Sequence, residues 1–187
     1  MINLNIGDIN IGETKAIPQL EVGDEKEVFS FYGLAAFNAQ CAEKALVNFA
    51  MAYKLLDETV LSQEQWLELY DGLNSKTFGR LFGQVKQRVD LPNELIDHLN
   101  KSLQKRNWLT HDFFYDYAVH FSDETGREEM INELQNLILL FQIADKAIEK
   151  LSAKVWAEFG VTDEWIQNEM AEQFKEYELA KNAIQGV

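Results

Sequence analysis

Residues 92–121 read PNELIDHLNKSLQKRNWLTHDFFYDYAVHF, and this stretch decides the fold. Its apolar side chains recur every three or four residues, the period of an amphipathic helix; they are Leu95, Leu99, Leu103, Phe113, Tyr117 and Phe121. Pro92 suits the first turn of a helix, where a missing N–H costs nothing. The pattern predicts a long central helix from Pro92 to about Phe121.

Similar helical patterns lie on both sides of this segment. Three capping boxes, Asp24 with Glu27, Ser62 with Gln65 and Thr125 with Glu128, mark predicted helix starts. The predicted helices cover approximately residues 24–57, 62–72, 75–89, 92–121, 125–160 and 162–184. Only two prolines interrupt the chain, which favours helices. The sequence therefore predicts an all-α, up-and-down bundle of about five or six helices as a single domain over residues 24–187.

The N-terminal residues 1–23 have a different pattern. Ile2, Leu4 and Ile6 alternate with polar residues before Gly7-Asp8, and Ile9 and Ile11 follow. This alternation is typical of a small β-hairpin. A frayed tail and a strand that pairs between subunits are the open alternatives.

Composition and charge exclude several classes of protein. The chain has 187 residues and a single cysteine, Cys41, so neither an intramolecular disulfide nor a cysteine-based zinc site is expected. Cys41 lies on a helical apolar stripe, which favours a packed thiol. The sequence contains no Glu-x-x-His motif, so a di-iron bundle is not expected, and we predict neither a metal nor another cofactor. With no signal peptide and no membrane-length apolar run, we expect a cytoplasmic protein that does not contact a membrane.

The net charge of −14 disfavours general adhesion to nucleic acid. The charge is uneven, however, because the segment from Lys76 to His111 carries seven basic and three acidic residues. It has a charge of +4 against −18 for the remainder. A solvated basic face and a binding surface both fit this distribution. Gly79 and Gly83 lie in this segment without a phosphate-binding motif, so we predict a helix-packing role for them.

Arg106 lies on the apolar face of the predicted central helix. On a helical wheel with Leu95 at 0°, Arg106 falls at about 20°, whereas Asn107 and His111 fall at about 120° and 160°. Burying a guanidinium without a partner costs several kcal/mol. Either a carboxylate from a neighbouring helix meets Arg106, or the face opens there into a cleft or a subunit interface.

The pair Asn107 and His111 lies one helical turn apart, so the two side chains can touch. An amide can fix the tautomer of an imidazole, and imidazole titrates near neutral pH, as acid–base chemistry requires. The fork of Arg106 suits phosphate. Because Arg106 and His111 diverge by about 140° on one helix, two copies across a twofold axis bring them together better than one copy does.

The segment Arg106-Asn107…His111 resembles the signature of the HEPN superfamily, the higher eukaryotes and prokaryotes nucleotide-binding domain. That signature is Arg-x(4–6)-His on a helix of an all-helical bundle, often with a polar residue directly after the arginine. The resemblance covers residues 24–155. It implies a homodimer with both motifs in one cleft, and metal-independent endoribonuclease activity of the toxin–antitoxin or phage-defence type. It further implies that Arg106 holds phosphate, that His111 acts in acid–base catalysis and that Asn107 supports both.

The resemblance leaves two functions open. Members silenced by a nucleotidyltransferase antitoxin carry tyrosine two residues after the histidine, where this chain has Phe113, so that form of silencing is not expected. Catalytically inactive members also exist, and their counterpart here is a module that binds an antitoxin or a basic protein, or that mimics nucleic acid. Trp108 falls at about 220° on the wheel, away from the core, and an exposed tryptophan there would indicate a subunit or partner surface. For His98 and His120 we predict surface or hydrogen-bonded positions rather than metal ligation.

Overall fold

The structure, a computed structural model, describes residues 4–57 and 62–185, and it is the all-α bundle with a short N-terminal hairpin that the sequence predicts. The strands are β1 (Leu4–Ile6) and β2 (Ile9–Gly12). The helices are α1 (Glu25–Asp57), α2 (Gln63–Asn74), α3 (Phe78–Lys86), α4 (Asn93–His111), α5 (Phe113–Asp116), α6 (Glu124–Glu158) and α7 (Asp163–Gln185), with a 3-10 turn at His120–Ser122. Among these described elements, none is long and apolar enough to cross a membrane.

The chain divides into two compact units, residues 1–151 and residues 152–187. The division falls inside α6. The predicted domain limits at residues 23 and 187 stay a prediction. Of the predicted apolar residues, Ile2 lies outside the described residues, and the side chains of Leu56 and Ile184 are not described.

The hairpin forms within the chain. β1 and β2 are antiparallel, with Asn5 opposite Asn10 and Ile6 opposite Ile9. Gly7 begins the turn with φ 54°, a left-handed conformation that glycine adopts without strain. Ile6 and Ile11 are buried. The hairpin therefore contributes to the core of the first unit.

Of the three predicted capping boxes, that of Ser62 and Gln65 forms in full and that of Asp24 and Glu27 forms in part. Ser62 and Gln65 make both reciprocal bonds at the start of α2. Asp24 Oδ1 accepts the N–H of Glu27 at 2.7 Å. The carboxylate of Glu27 in turn accepts the N–H groups of the three residues before Asp24, at 2.7 to 2.9 Å. These hydrogen bonds, that of Val22 first, lower the pKa of the Glu27 carboxyl.

The predicted cap of α6 is wrong. The helix begins at Glu124, one residue before the predicted cap Thr125. The carboxylate of Asp123 accepts the N–H of Gly126 at 2.9 Å and so satisfies a free donor of the first turn. Asp123 lies after the 3-10 turn, in an extended conformation suited to an N-cap.

The core around α4 draws on four helices. α1, α4, α5 and α6 together bury Val28, Phe31, Ala35, Ala39, Leu109, Phe113, Met130, Ile131, Leu134, Leu137, Ile138, Leu140 and Phe141. Where α3 meets α4, a Cβ on Gly79 would lie 3.3 Å from Leu103, whereas one on Gly83 would meet nothing within 4 Å. The predicted packing role is therefore seen at Gly79 and not at Gly83.

The central helix is shorter than predicted. α4 ends at His111, because Asp112 leaves the helical conformation with φ −123° and ψ −16°. After this break, Phe113 and Phe114 pack with ring centroids 5.8 and 4.9 Å from Tyr32 of α1. The prediction that this helix extends to Phe121 is wrong. The chain turns at Asp112, and after the turn Phe113 and Phe114 contact α1.

The same turn covers Trp108, which was predicted to face away from the core. Its ring lies edge-on to Phe113 at 5.3 Å, and its indole N–H donates to Asp116 at 2.7 Å. Lys105 lies over the indole ring at 4.5 Å. Trp108 is thus half-buried against the core, and the prediction that it faces away from the core is wrong.

Candidate functional site

The predicted site residues all lie in the last two turns of α4. Arg106 is half-buried, whereas Asn107 and His111 are exposed. Since α4 ends at His111, the imidazole stands at the C-terminal end of the helix, where the break at Asp112 begins. The site is therefore an edge of the bundle rather than an enclosed pocket.

Arg106 has a carboxylate partner from a neighbouring helix, the first of the two predicted alternatives. Its Nη2 lies 3.1 and 3.4 Å from the two carboxylate oxygens of Glu43, on α1. The side chains of Arg106 and Glu43 are 32% and 20% exposed, so this ion pair is not sealed from water. Glu43 is the site residue that the sequence did not reveal, because only the packing of α1 on α4 brings it to Arg106.

The amide of Asn107 is directed to Arg106. Nη1 of Arg106 donates to Asn107 Oδ1 at 3.2 Å. The sequence instead favours a contact between Asn107 and His111. Within residues 4–57 and 62–185, His111 has neither a hydrogen bond nor an ion pair to the protein. One copy therefore presents a fixed guanidinium and, separately, a free imidazole.

The other two histidines have structural environments. His98 Nε2 lies 2.9 Å from the carbonyl oxygen of Leu140, and burial lowers the pKa of this imidazole. The ring of His120 contacts Tyr117 at 5.2 Å. Among the described residues, no group of three or more His, Cys, Asp or Glu side chains is arranged to hold a metal ion. Neither His98 nor His120 belongs to the Arg106 site.

Cations converge at a second place on the first unit. A cleft of about 220 Å³ between α1, α2 and α3 is lined by Lys54, Lys76 and Arg88 over an apolar floor that includes Leu73 and Val85. Lys76 and Arg88 belong to the basic segment recognised in the sequence, and Lys54 comes from α1. No carboxylate lines this cleft in the described chain. Two basic residues of this segment, Lys76 and Arg88, therefore line the same cleft.

No protein-family model, no curated protein and no solved structure matches the chain.

A separate titrating pair links α1 and α6. Burial raises the pKa of the Asp145 carboxyl to about 6, and Glu149 adds to this effect. Burial also raises the pKa of the half-buried Cys41 thiol, and Asp145 contributes to that rise. A raised pKa keeps Cys41 protonated, which fits the packed thiol that the sequence predicts and not a nucleophile.

Replacing Asp145 with asparagine is expected to stabilise the protein at neutral pH. The folded pKa of about 6 lies above the ordinary value of 3.8 for an aspartate, so the ionised carboxylate disfavours folding above pH 6. Asp145 is partly exposed, and the expected gain in free energy of unfolding at pH 7.5 is about 1–2 kcal/mol after allowance for solvent screening. The gain should disappear as the pH falls towards 4.

Urea unfolding of wild type and Asp145→Asn between pH 4 and pH 8 measures this effect. Asp97→Asn, an exposed change on α4, is the control. A stability difference that does not change with pH, or one equal to that of the control, would contradict the assignment.

Proposed function

We propose that this protein is a HEPN-like, metal-independent endoribonuclease that acts as a homodimer, of the toxin or phage-defence type. One observation carries the proposal. Arg106 is held by Glu43 and Asn107 at a solvent-accessible edge, and the exposed His111 follows five residues later at the end of the same helix. These are the parts that phosphodiester cleavage needs in the absence of a metal.

The guanidinium keeps donors for a phosphate. Arginine has five N–H donors, and Glu43 and Asn107 engage at most three of them. The pair also restricts the rotamers of Arg106 before substrate binds, which lowers the cost of ordering it. Glu43 offsets part of the positive charge, so Arg106 serves as an oriented donor more than as a free cation.

The proton transfers explain why two copies are needed. Attack by a ribose 2′-hydroxyl on the adjacent phosphorus requires a base for the hydroxyl proton and an acid for the leaving 5′-oxygen. One copy supplies a single imidazole at this edge, since His98 and His120 lie elsewhere. Two copies related by a twofold axis supply two His111 side chains and two Arg106 side chains to one cleft.

RNA binding has to overcome the net charge of −14. The cleft lined by Lys54 and Lys76 provides two cations for contacts with the phosphate backbone. Binding that depends on such contacts weakens steeply as salt rises. The acidic remainder of the surface is consistent with selectivity for a particular RNA rather than general adhesion.

Replacing Arg106 tests the proposal. We expect Arg106→Ala to lower the rate of RNA cleavage in EDTA by roughly 100-fold or more, because donors aimed at the reacting phosphate are lost. Arg106→Lys retains the positive charge but loses the forked guanidinium, so its rate of RNA cleavage should lie between those of wild type and Arg106→Ala. Thr110→Ala, one turn along the same helix, is the control, and circular dichroism checks that each variant is folded. Wild-type cleavage by Arg106→Ala would contradict the proposal.

The alternative function is a non-catalytic module that binds a basic protein partner or mimics nucleic acid. The ion pair with Glu43 favours it, because a paired arginine is less available to a phosphate. If this alternative is correct, Arg106→Met should change the free energy of unfolding, and neither wild type nor the variant should cleave RNA. Absence of cleavage by wild type, together with that result, would favour the module over the nuclease.

A further inference from the structure

α7 carries an apolar stripe that is open to solvent. Ile166, Met170, Phe174 and Tyr177 are 39%, 59%, 64% and 61% exposed. On a helical wheel they fall within about 80° of one another, so they form one continuous face over three turns. Exposed apolar faces of this extent mark interaction surfaces.

Two opposite charges lie at the ends of this stripe. Asp163 in the first turn and Lys181 near the last turn both fall at about 60° on the wheel that places Ile166 at 0°, within the stripe itself. Lys181 makes only a 4.0 Å contact with Glu178 in its own helix. The acidic residues of α7 are also unevenly distributed along the helix. The segment from Asp163 to Glu172 contains four acidic residues and no basic residue.

We propose that α7 pairs antiparallel with α7 of a second copy of this chain. A pair centred on Glu172 places Met170 against Phe174 of the second copy, a favourable sulfur–aromatic contact. The same register places Asp163 beside Lys181 of the second copy at both ends. Parallel pairing would instead set Asp163 against Asp163 and Lys181 against Lys181, which is unfavourable.

Charge also favours a second copy over a membrane or a nucleic acid. α7 has six acidic and two basic residues, so an anionic surface would be repelled. In the antiparallel register Glu172 lies about 160° from the centre of the stripe and does not enter the contact. The α7 pair is a separate contact from the paired Arg106–His111 edges of the ribonuclease proposal, and it would persist in a protein that cleaves nothing.

Sedimentation equilibrium of the full chain tests the pairing. We expect wild type to dimerise, and Phe174→Glu to raise the dimer dissociation constant at least about 30-fold, since a central contact is lost twice in a symmetric pair. Leu179→Glu is the matched control. Leu179 is 70% exposed but lies about 180° from the stripe, and the change should have less than about a twofold effect.

A charge exchange tests the direction of the pair. Asp163→Lys alone and Lys181→Asp alone should each weaken dimerisation by roughly threefold to tenfold, and the double variant should recover most of the loss. A wild type that is monomeric at about 100 μM would overturn the proposal. So would a dimer that Phe174→Glu leaves unchanged, or a double variant weaker than both single variants. Binding of α7 to a basic helix of another protein, with no self-association, would assign the stripe to a different occupant.

Discussion

Gly126→Ala is expected to lower the free energy of unfolding by about 2–4 kcal/mol. A Cβ at this position would lie 2.1 Å from the carbonyl oxygen of His120 and 2.6 Å from its Cα. Both are backbone atoms, so no side-chain rotation relieves the overlap. The whole connection between the 3-10 turn and α6 would have to move.

That connection is anchored at several points, which is why the cost is large. The N–H of Gly126 donates to Asp123, and the guanidinium of Arg127 donates to the carbonyl oxygens of Gly23 at 2.7 Å and Phe121 at 3.2 Å. A shift of the turn would weaken these bonds together. We therefore expect the loss to exceed that of an ordinary helix substitution.

Urea unfolding of Gly126→Ala and Gly33→Ala measures the difference. Gly33 lies in α1, where an added Cβ meets nothing within 4 Å, so alanine there should stabilise the helix by about 0.5–1 kcal/mol. Equal effects from the two substitutions would contradict the close approach of His120 to Gly126.

His111→Ala is expected to lower RNA cleavage in EDTA by about 100-fold to 10,000-fold, the usual contribution of acid–base catalysis. Because the imidazole is exposed and has no partner among the described residues, the free energy of unfolding should change by less than about 0.5 kcal/mol. This separation of activity from stability distinguishes a catalytic residue from a structural one.

Free imidazole added to the His111→Ala variant provides a second readout. Partial recovery of cleavage is expected if the lost group transfers protons, and Thr110→Ala should need no rescue. Cleavage by His111→Ala at the wild-type rate would remove His111 from the mechanism.

The sequence was sufficient where structure depends on neighbours in the chain. The capping residues of α1 and α2, the hairpin at Gly7-Asp8 and the end of α6 before Gly160 follow from local hydrogen bonding and local backbone preference. A carboxylate from a neighbouring helix was one of the two predicted alternatives for Arg106, because desolvation of a guanidinium is costly wherever it occurs. The identity of that carboxylate, Glu43, depends on tertiary packing.

Hydrophobic periodicity gave wrong predictions where a helix packs against more than one neighbouring helix. Helical spacing also places Phe37 on the apolar stripe that includes Cys41. Phe37 is nevertheless 55% exposed, because α1 packs on α4 and α6 along one part of its surface and on α2 and α3 along another. Periodicity likewise continued through Asp112, since it records spacing and not the contacts of Phe113 and Phe114 with α1. The wrong position for Trp108 follows from that single missed turn.

The central claim is that two copies of the Arg106–His111 edge form one catalytic cleft. The direct measurement is RNA cleavage in EDTA by wild type after equilibration with an equal amount of the His111→Ala variant, the wild-type concentration being held constant. If both imidazoles are needed, only about a quarter of the dimers carry two wild-type copies after random exchange, and activity should fall to about half of that without the variant. Activity unchanged by the added variant, or no cleavage by wild type alone, would contradict the claim.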